Sequence, residues 1–141
     1  MKRNSVIPAV FIIVQRSEKI LLLERMNTGW NDGMFTLPSG HIEKNEAPQD
    51  AIIREVNEEV GIKLEKKDLI IKTVLYRKSD KDEERVDFIF ECNKWKCEPI
   101  NNEPHKARGV IWADRKNLPE NTIGFIKEVI NSKKEYLEIG Y

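Results

Sequence analysis

The chain has 141 residues, with 24 basic and 24 acidic side chains and therefore a formal net charge of zero. This length suits one domain, and 40% hydrophobic with 34% charged residues is typical of a folded globular protein. The balanced charge argues against a nucleic-acid-binding protein, which would need a basic surface. No apolar run approaches the roughly 20 residues that span a bilayer, so we expect a soluble cytoplasmic protein.

The first half of the chain predicts two buried strands, a loop and a helix. Apolar, β-branched runs are typical of buried strands, and clusters of Gly, Asn and Asp mark loops. Asn45 is a favourable N-cap residue and Gly61 a typical helix terminator, so they limit the first helix. The predicted elements are strands over 6–14 and 20–23, a loop over 27–33, an extended segment over 34–38 and a helix over 45–60.

The second half predicts three further strands and a closing helix. Val86, Phe88 and Phe90 alternate with Asp87 and Glu91, as in a strand with one apolar and one polar face. The predicted elements are strands over 69–76, 85–92 and 109–112 and an amphipathic helix over 121–132. Because each element must bury its apolar side, this order predicts an α/β fold with a mixed β-sheet sandwiched between helices (α/β/α).

Three carboxylates share one face of the first predicted helix. Glu55, Glu58 and Glu59 are spaced i, i+3 and i+4, which places neighbouring side chains about 5–6 Å apart. Like charges at this spacing destabilise a helix by roughly 0.2–0.5 kcal/mol per pair. A divalent cation such as Mg²⁺ would relieve this repulsion and could bridge the carboxylates to phosphate oxygens. For three acids alone, the alternative is a solvated charged face.

A longer motif around these acids decides between the two interpretations. Its spacing is G-x5-E-x7-R-E-U-x-E-E-x-G-U, in which the apolar U positions are Val56 and Ile62. The fixed positions are Gly40, Glu46, Arg54, Glu55, Glu58, Glu59 and Gly61. The segment 40–62 resembles the Nudix box at every defined position. On that resemblance the chain is identified as a member of the Nudix hydrolase family, with a single Nudix domain over 1–141.

The resemblance implies a divalent metal site on the box helix. Glu58 and Glu59 would be the principal metal ligands, and Glu55 would be a further ligand or the general base. The backbone carbonyl of Ser39, just before the box glycine, is implied as an additional ligand. Mg²⁺ is the implied cofactor, with Mn²⁺ as its substitute.

The remaining fixed positions of the box would support these ligands. Arg54 would orient Glu55 through a charge-assisted hydrogen bond, and Glu46 would help to hold Arg54. Gly40 and Gly61 are the structural glycines of the motif. The box therefore supplies both the implied metal ligands and the residue that positions one of them.

Outside the box, the resemblance extends to the MutT branch of the family. That branch places an extra acid in the region that corresponds to 95–103, where it joins the metal site or acts as the base. Glu103 is our candidate for this acid, whereas Glu98 is interpreted as a turn residue before Pro99. We favour Glu55 as the general base, with Glu103 as the alternative.

Four residues are predicted to contact the substrate. Arg25 resembles a family position that contacts phosphate, and the alternative is a surface Arg at a strand end. Trp30 and Phe35 are aromatic residues on or near the loop before the box, and either could stack on a base. Asn121 could offer its amide to a base edge or could instead cap the last helix.

The histidines and cysteines lie in no recognisable motif. His41 and His105 have no evident partner and are interpreted as simple loop residues. Cys92 and Cys97 form a single C-x4-C pair without nearby Cys or His partners. We interpret them as reduced cytosolic thiols.

With the resemblance, the motif predicts Mg²⁺-dependent hydrolysis of a pyrophosphate bond in a nucleoside-diphosphate-linked substrate. The short chain and the MutT-like region favour a (d)NTP, cleaved to a nucleoside monophosphate and pyrophosphate. ADP-ribose or an NDP-sugar is the alternative within the family, and a non-catalytic nucleotide-binding module is the alternative outside it. The expected partner is a small-molecule nucleotide, with no nucleic acid and no membrane, and the expected assembly is a monomer or homodimer.

Overall fold

The computed structural model describes residues 2–141, which contain eight strands, two α-helices and a short 3₁₀ turn. In chain order the elements are β1 (Ile7–Arg16), β2 (Lys19–Arg25), β3 (Phe35–Thr36), β4 (Ser39–His41), α1 (Pro48–Val60), the 3₁₀ turn (Lys66–Asp68), β5 (Ile70–Lys78), β6 (Glu84–Cys92), β7 (Ala107–Asp114), α2 (Gly124–Asn131) and β8 (Tyr136–Ile139). All elements predicted from the sequence are present, and β4, the 3₁₀ turn and β8 are additional.

The strands form one mixed sheet with β1 near its centre. The strand order is β3-β2-β1-β6-β5-β8, with β4 also paired to β1 and β7 to β2. β1 runs parallel to β6 and antiparallel to β2 and β4. Because β4 and β6 both border β1, the sheet brings the residues just before α1 close to the β5–β6 hairpin.

Alternate residues of β1 face two separate apolar layers. Val10, Ile12 and Val14 pack in one cluster with α1, whose buried residues are Ala51, Ile52, Val56 and Val60. Ala9, Phe11 and Ile13 pack in the other cluster with α2, whose buried residues are Ile126, Val129 and Ile130. The period of two along a strand explains this division. The predicted α/β/α arrangement is therefore confirmed.

The first helix begins three residues later than the sequence pattern predicts. Asn45 is not its N-cap: it has a φ of 65° and lies in a turn, in the left-handed conformation that Asn tolerates. The helix begins at Pro48 after Ala47, which makes no side-chain capping bond. Pro suits this position because its missing N–H would have no partner within the helix. The predicted end is confirmed, since Gly61 is left-handed with a φ of 72°.

The last helix is also shorter than predicted, because the segment before it is extended. The N–H of Phe35 donates to the carbonyl of Asn121 at 2.9 Å, and the N–H of Ile123 donates to the carbonyl of Phe35 at 3.0 Å. These bonds align residues 121–123 with β3, so α2 begins only at Gly124. No helix among residues 2–141 is both long and apolar enough to cross a membrane.

Candidate active site

Arg54 of α1 joins two carboxylates of the motif. Its Nε and Nη2 atoms donate to the two oxygens of Glu46, each at 2.9 Å, and its Nη1 donates to Oε1 of Glu55 at 2.8 Å. A planar guanidinium matches a carboxylate in this two-bond geometry. The hydrogen bonds from Arg54 lower the pKa of Glu46 to about 2. Glu46 is thus charged over the working pH range and holds Arg54 in the orientation that meets Glu55.

The adjoining strand β4 presents its backbone to two of the box acids. Gly40 lies directly beside the carboxyl group of Glu55. The N–H of Ser39 donates to Oε1 of Glu59 at 2.8 Å. This bond uses the amide of Ser39, whereas the metal role suggested by the resemblance concerns its carbonyl. The β4 backbone therefore fixes the position of Glu59 and leaves room for Glu55.

Two of the box acids, Glu55 and Glu59, are partly buried, and burial raises the pKa of each. Burial raises the pKa of Glu59 to about 8, and the neighbouring charges of Glu55 and Glu103 add to the shift. Burial also raises the pKa of Glu55, while the hydrogen bond from Arg54 opposes the rise. When no other cation is present, desolvation and mutual repulsion favour the protonated form of clustered carboxylates. A bound divalent cation would favour the ionised forms instead.

The donor set fits a divalent cation that completes its coordination with other oxygens. In the part of the chain that the structure describes, no three acidic, histidine or cysteine side chains already converge closely enough to hold a metal ion. Glu55 accepts a hydrogen bond from Arg54, and Glu59 accepts one from the Ser39 amide. Mg²⁺ typically needs only one or two protein carboxylates, with waters and substrate phosphates supplying the rest.

The acids open into a cavity of about 710 Å³. Its wall includes the predicted residues Glu55, Glu59, Glu103, Arg25 and Trp30, together with Ser39 and Gly40. Exposed Glu58 lies on the same helix, with Oε2 3.5 Å from Nη1 of Arg54. The volume lies within the usual range of pockets for small molecules. The fold therefore brings most of the predicted site residues to one place.

Glu103 reaches this cavity from a loop far along the chain. The N–H of Asn102 donates to the carbonyl of Glu59 at 3.0 Å, and its Nδ2 donates to the carbonyl of Glu58 at 3.1 Å. These two bonds dock the loop on the last turn of α1, whose carbonyls would otherwise lack partners. Glu98 lies elsewhere and forms an exposed ion pair with Arg16. The structure thus places Glu103, and not Glu98, beside the box acids.

Arg25 and Trp30 form a paired unit on the cavity wall. Nε of Arg25 donates to the carbonyl of Trp30 at 2.8 Å, and Nη2 donates to Oγ1 of Thr28 at 2.9 Å. The Arg25 guanidinium lies 4.7 Å from the centre of the Trp30 ring. Burial lowers the pKa of Arg25, although an arginine stays charged at any working pH. The positively charged guanidinium of Arg25 and the aromatic ring of Trp30 are therefore held next to each other on the cavity wall.

Phe35 and Asn121, two predicted substrate contacts, are not among the residues of the described chain that line the cavity. Phe35 packs against the apolar cluster under α2. Nδ2 of Asn121 donates to the carbonyl of Gly33 at 2.9 Å and so fastens the loop before β3. The structure also corrects the alternative for Asn121, because the residue that precedes α2 is Ile123. Loop and core contacts account for both side chains.

The cavity has a second polar wall that is not evident from the sequence. Arg77 and Arg85 of the β5–β6 hairpin line it, as does His41. Asp87, which the alternation assigned to the polar face of its strand, is fully buried and ion-paired to Arg77. His41 is likewise a strand residue of β4 and not a loop residue. An alternating pattern predicts that one face of a strand lies in solvent. It therefore does not reveal buried charges on a strand whose two faces are both covered.

The family of this protein is shown by a match that covers most of the chain. The sequence model of the NUDIX domain matches residues 6–132, and the chain therefore belongs to this family. The predicted family and fold are thus confirmed.

Two solved structures share the fold. A MutT NUDIX hydrolase from Burkholderia pseudomallei has a TM-score of 0.82 at 23% identity, covering 90% of this chain and 97% of that one. A MutT protein from Methanosarcina mazei Go1 has a TM-score of 0.78 at 18% identity, covering 92% and 94%.

Curated proteins match this chain over shorter segments, among them the following two. An ADP-ribose pyrophosphatase from Methanocaldococcus jannaschii is 40% identical over 57 residues, which is 39% of this chain and 33% of that protein. An uncharacterized Nudix hydrolase from Bacillus subtilis is 38% identical over 50 residues, which is 36% and 29% respectively. The chain thus matches about a third of the length of each.

Proposed function

We propose that this protein hydrolyses a pyrophosphate bond in a nucleoside-diphosphate-linked substrate with the help of Mg²⁺. The observation that carries the proposal is the convergence of Glu55, Glu59 and Glu103 on one cavity wall, with Arg25 and Trp30 on the same cavity. The favoured substrate is a (d)NTP, which would yield a nucleoside monophosphate and pyrophosphate. The MutT-like location of Glu103 supports this choice.

Each residue has a role that its position supports. Glu58 and Glu59 would hold Mg²⁺, or Mn²⁺ in its place, together with the carbonyl of Ser39, and Glu55 would be a further ligand or the general base. When bound, the ion supplies charge neutralisation of the pyrophosphate and an acidified water. Arg25 is restrained by Trp30 and Thr28 and would contact a phosphate oxygen. Trp30 would stack on the base.

The chain's own part in the reaction is proton transfer and positioning. Water attacks phosphorus, a new P–O bond forms, and the bond to the leaving phosphate oxygen breaks. A carboxylate accepts the proton of the attacking water. Glu55 is favoured for this role because Arg54 fixes its orientation, and Glu103 is the alternative because it lines the same cavity. Glu46 is a positioning residue, since it acts through Arg54.

ADP-ribose or another NDP-sugar is the second candidate substrate. The observation that favours it is the 40% identity to the Methanocaldococcus jannaschii ADP-ribose pyrophosphatase over 57 residues. Both substrates contain the same pyrophosphate linkage, so the box geometry does not separate them. The residues that contact the rest of the substrate decide the choice.

The proposal includes a cellular setting. We infer a cytoplasmic enzyme that acts as a monomer or homodimer on small nucleotides and has no nucleic-acid partner. The two free thiols, Cys92 and Cys97, are typical of a reducing compartment. The balance of 24 basic and 24 acidic side chains offers no overall basic surface for nucleic acid.

A substrate panel with Mg²⁺ tests the proposal. It contains ordinary and 8-oxo dNTPs, NTPs, ADP-ribose, NDP-sugars and a dinucleoside polyphosphate, with the products identified. We expect a monophosphate and pyrophosphate from a triphosphate, and a loss of turnover of about a hundredfold or more in Glu58→Gln, because a charged group at the reacting centre is removed. Activity on ADP-ribose alone would establish the second candidate. Near wild-type turnover of Glu58→Gln would refute its role as a ligand.

A further inference from the structure

Two arginines face each other across the β5–β6 hairpin. Arg77 and Arg85 are direct partners in the antiparallel register, and both line the cavity. Like charges directly opposite on neighbouring strands repel each other. Asp87 follows Arg85 by two residues and therefore lies on the same face of the sheet. We call Arg77, Arg85 and Asp87 the hairpin cluster.

Asp87 forms its direct ion pair with Arg77, and its charge also acts on Arg85. It is fully buried, and its Oδ2 accepts from Nε of Arg77 at 2.5 Å. The Arg77 guanidinium also lies 4.0 Å from the centre of the Phe125 ring, which is a favourable place for a cation. Arg77 therefore has both a charge partner and an aromatic contact within the protein.

Arg85 is engaged far more weakly. Its Nη2 lies 2.7 Å from Nε2 of His41. Because arginine only donates, Nε2 must accept, so His41 is neutral and contributes no negative charge. The carboxylate of Glu83 lies 3.7 Å from Nη1 and is 43% exposed, which makes it a weak, solvent-screened ion pair. Nε of Arg85 is buried and has no hydrogen-bond partner among residues 2–141.

We propose that Arg85, supported by His41 and Arg77, is a second anion-binding subsite of the cavity, which holds a phosphate or carboxylate that the substrate carries in addition to its pyrophosphate. Arg85 lines the cavity, and a guanidinium matches such a group in a two-bond geometry. An anion there would also relieve the repulsion between Arg77 and Arg85. The proposal deepens the proposed function, because it takes this cavity as the substrate site.

The subsite is joined to the Nudix box through one residue. The side chain of His41 contacts Arg85, and its backbone carbonyl accepts from Nη2 of Arg54 at 3.2 Å. The same residue of β4 therefore borders both groups of charges. A substrate with two separated acidic groups would place one at Arg85 and its pyrophosphate at the divalent cation that the box acids would hold.

The first experiment measures binding without metal and without turnover. Inorganic phosphate is titrated into the whole protein in the presence of EDTA, and the imidazole signals of His41 are followed by NMR. We expect a saturable shift, with affinity at least tenfold weaker in Arg85→Gln because a charged hydrogen-bond partner is lost. Glu83→Gln should bind phosphate more tightly, since it removes the competing carboxylate.

The matched control is Arg108→Gln, because Arg108 is an exposed arginine that pairs with Glu24 and does not line the cavity among the described residues. It should bind phosphate as the wild type does. Absence of a saturable shift at His41, or equal affinity in Arg85→Gln and wild type, would overturn the subsite. This outcome does not depend on whether the protein turns over any nucleotide.

The second experiment separates the two sources of the anion. One substrate pair is ADP-ribose with its 2′-phosphorylated form, and the other is UDP-glucose with UDP-glucuronate. We expect about a tenfold or larger preference in kcat/KM for the charged member of one pair, lost in Arg85→Gln. The phosphate pair or the carboxylate pair then identifies the group. A preference for the charged member that persists in Arg85→Gln, or no such preference in either pair, would overturn the proposal.

Discussion

A methyl group at position 40 would lie 2.0 Å from Cδ of Glu55 and 2.3 Å from its Oε1. Gly40 does not have a positive φ. A glycine is required at this position because the Glu55 carboxyl group occupies the space that a side chain would need. The glycine at the start of the Nudix box and the acid fifteen positions later are parts of one contact. Any side chain at position 40 must displace the carboxylate that Arg54 orients.

Gly40→Ala should therefore impair turnover more than folding. We expect roughly a hundredfold loss of kcat, because a displacement of about 1 Å in a catalytic group has this effect. The measurement is kcat on the best panel substrate, beside the thermal midpoint of unfolding. Gly109→Ala is the matched control, since a Cβ there meets nothing within 4 Å. Equal activity of the two variants would show that Glu55 tolerates the displacement.

Arg54→Lys tests the two-sided contact between Glu46 and Glu55. Lysine keeps the charge but cannot donate in parallel to Glu46 while it reaches Glu55. We expect kcat/KM to fall roughly 10- to 100-fold, as is typical when the partner that orients a ligand is lost. Arg108→Lys is the control at an exposed position. Unchanged activity of Arg54→Lys would mean that Glu55 needs no orienting partner.

Glu103→Gln and Glu98→Gln compare two acids of one loop region. Glu103 lines the cavity with the box acids, whereas Glu98 pairs with Arg16 on an exposed surface. We expect a loss of turnover of about a hundredfold in Glu103→Gln and wild-type turnover in Glu98→Gln. The reverse order of the two effects would show that the fourth acid of the site is misassigned.

Asp87→Asn tests the buried ion pair beneath the hairpin. The change leaves Arg77 buried without its charge partner, which costs about 3–5 kcal/mol. We expect urea unfolding to show a loss of this size. The double variant Arg77→Met/Asp87→Leu removes both charges and should recover much of the stability, because apolar replacements of buried pairs are often neutral. If the double variant is less stable than Asp87→Asn, the ion pair itself is stabilising.

The two thiols should differ sharply in reactivity. Burial raises the pKa of Cys92 to about 12, whereas Cys97 is exposed. Since the thiolate is the reactive form, a maleimide at neutral pH should label one thiol in the native protein and two after denaturation. Cys97→Ser should abolish native labelling. Rapid native labelling of that variant would mean that Cys92 is accessible.

Much of the fold was predictable because its signals are local. Gly61 ends α1 as predicted, since a left-handed terminator acts within one turn. Asn45 was predicted wrongly as the N-cap, because asparagine is favoured both in turns and at N-caps. β8 was not predicted, as its four residues alternate only between exposed and partly buried positions. Its parallel pairing with β5 depends on a strand some sixty residues earlier.

The sequence by itself determined the box: its spacing places Glu55 and Glu59 on one helix face and Arg54 beside them, because helix geometry is local. Only the tertiary structure decided that Glu103 joins these acids, since Asn102 docks its loop on the end of α1. It also decided that Arg85 borders the same cavity, because sheet pairing joins strands far apart in the chain. The spacing of a motif determines which residues are neighbours within a few helical turns. A cavity wall forms by packing of segments that are far apart in the chain, and residue spacing does not determine that packing.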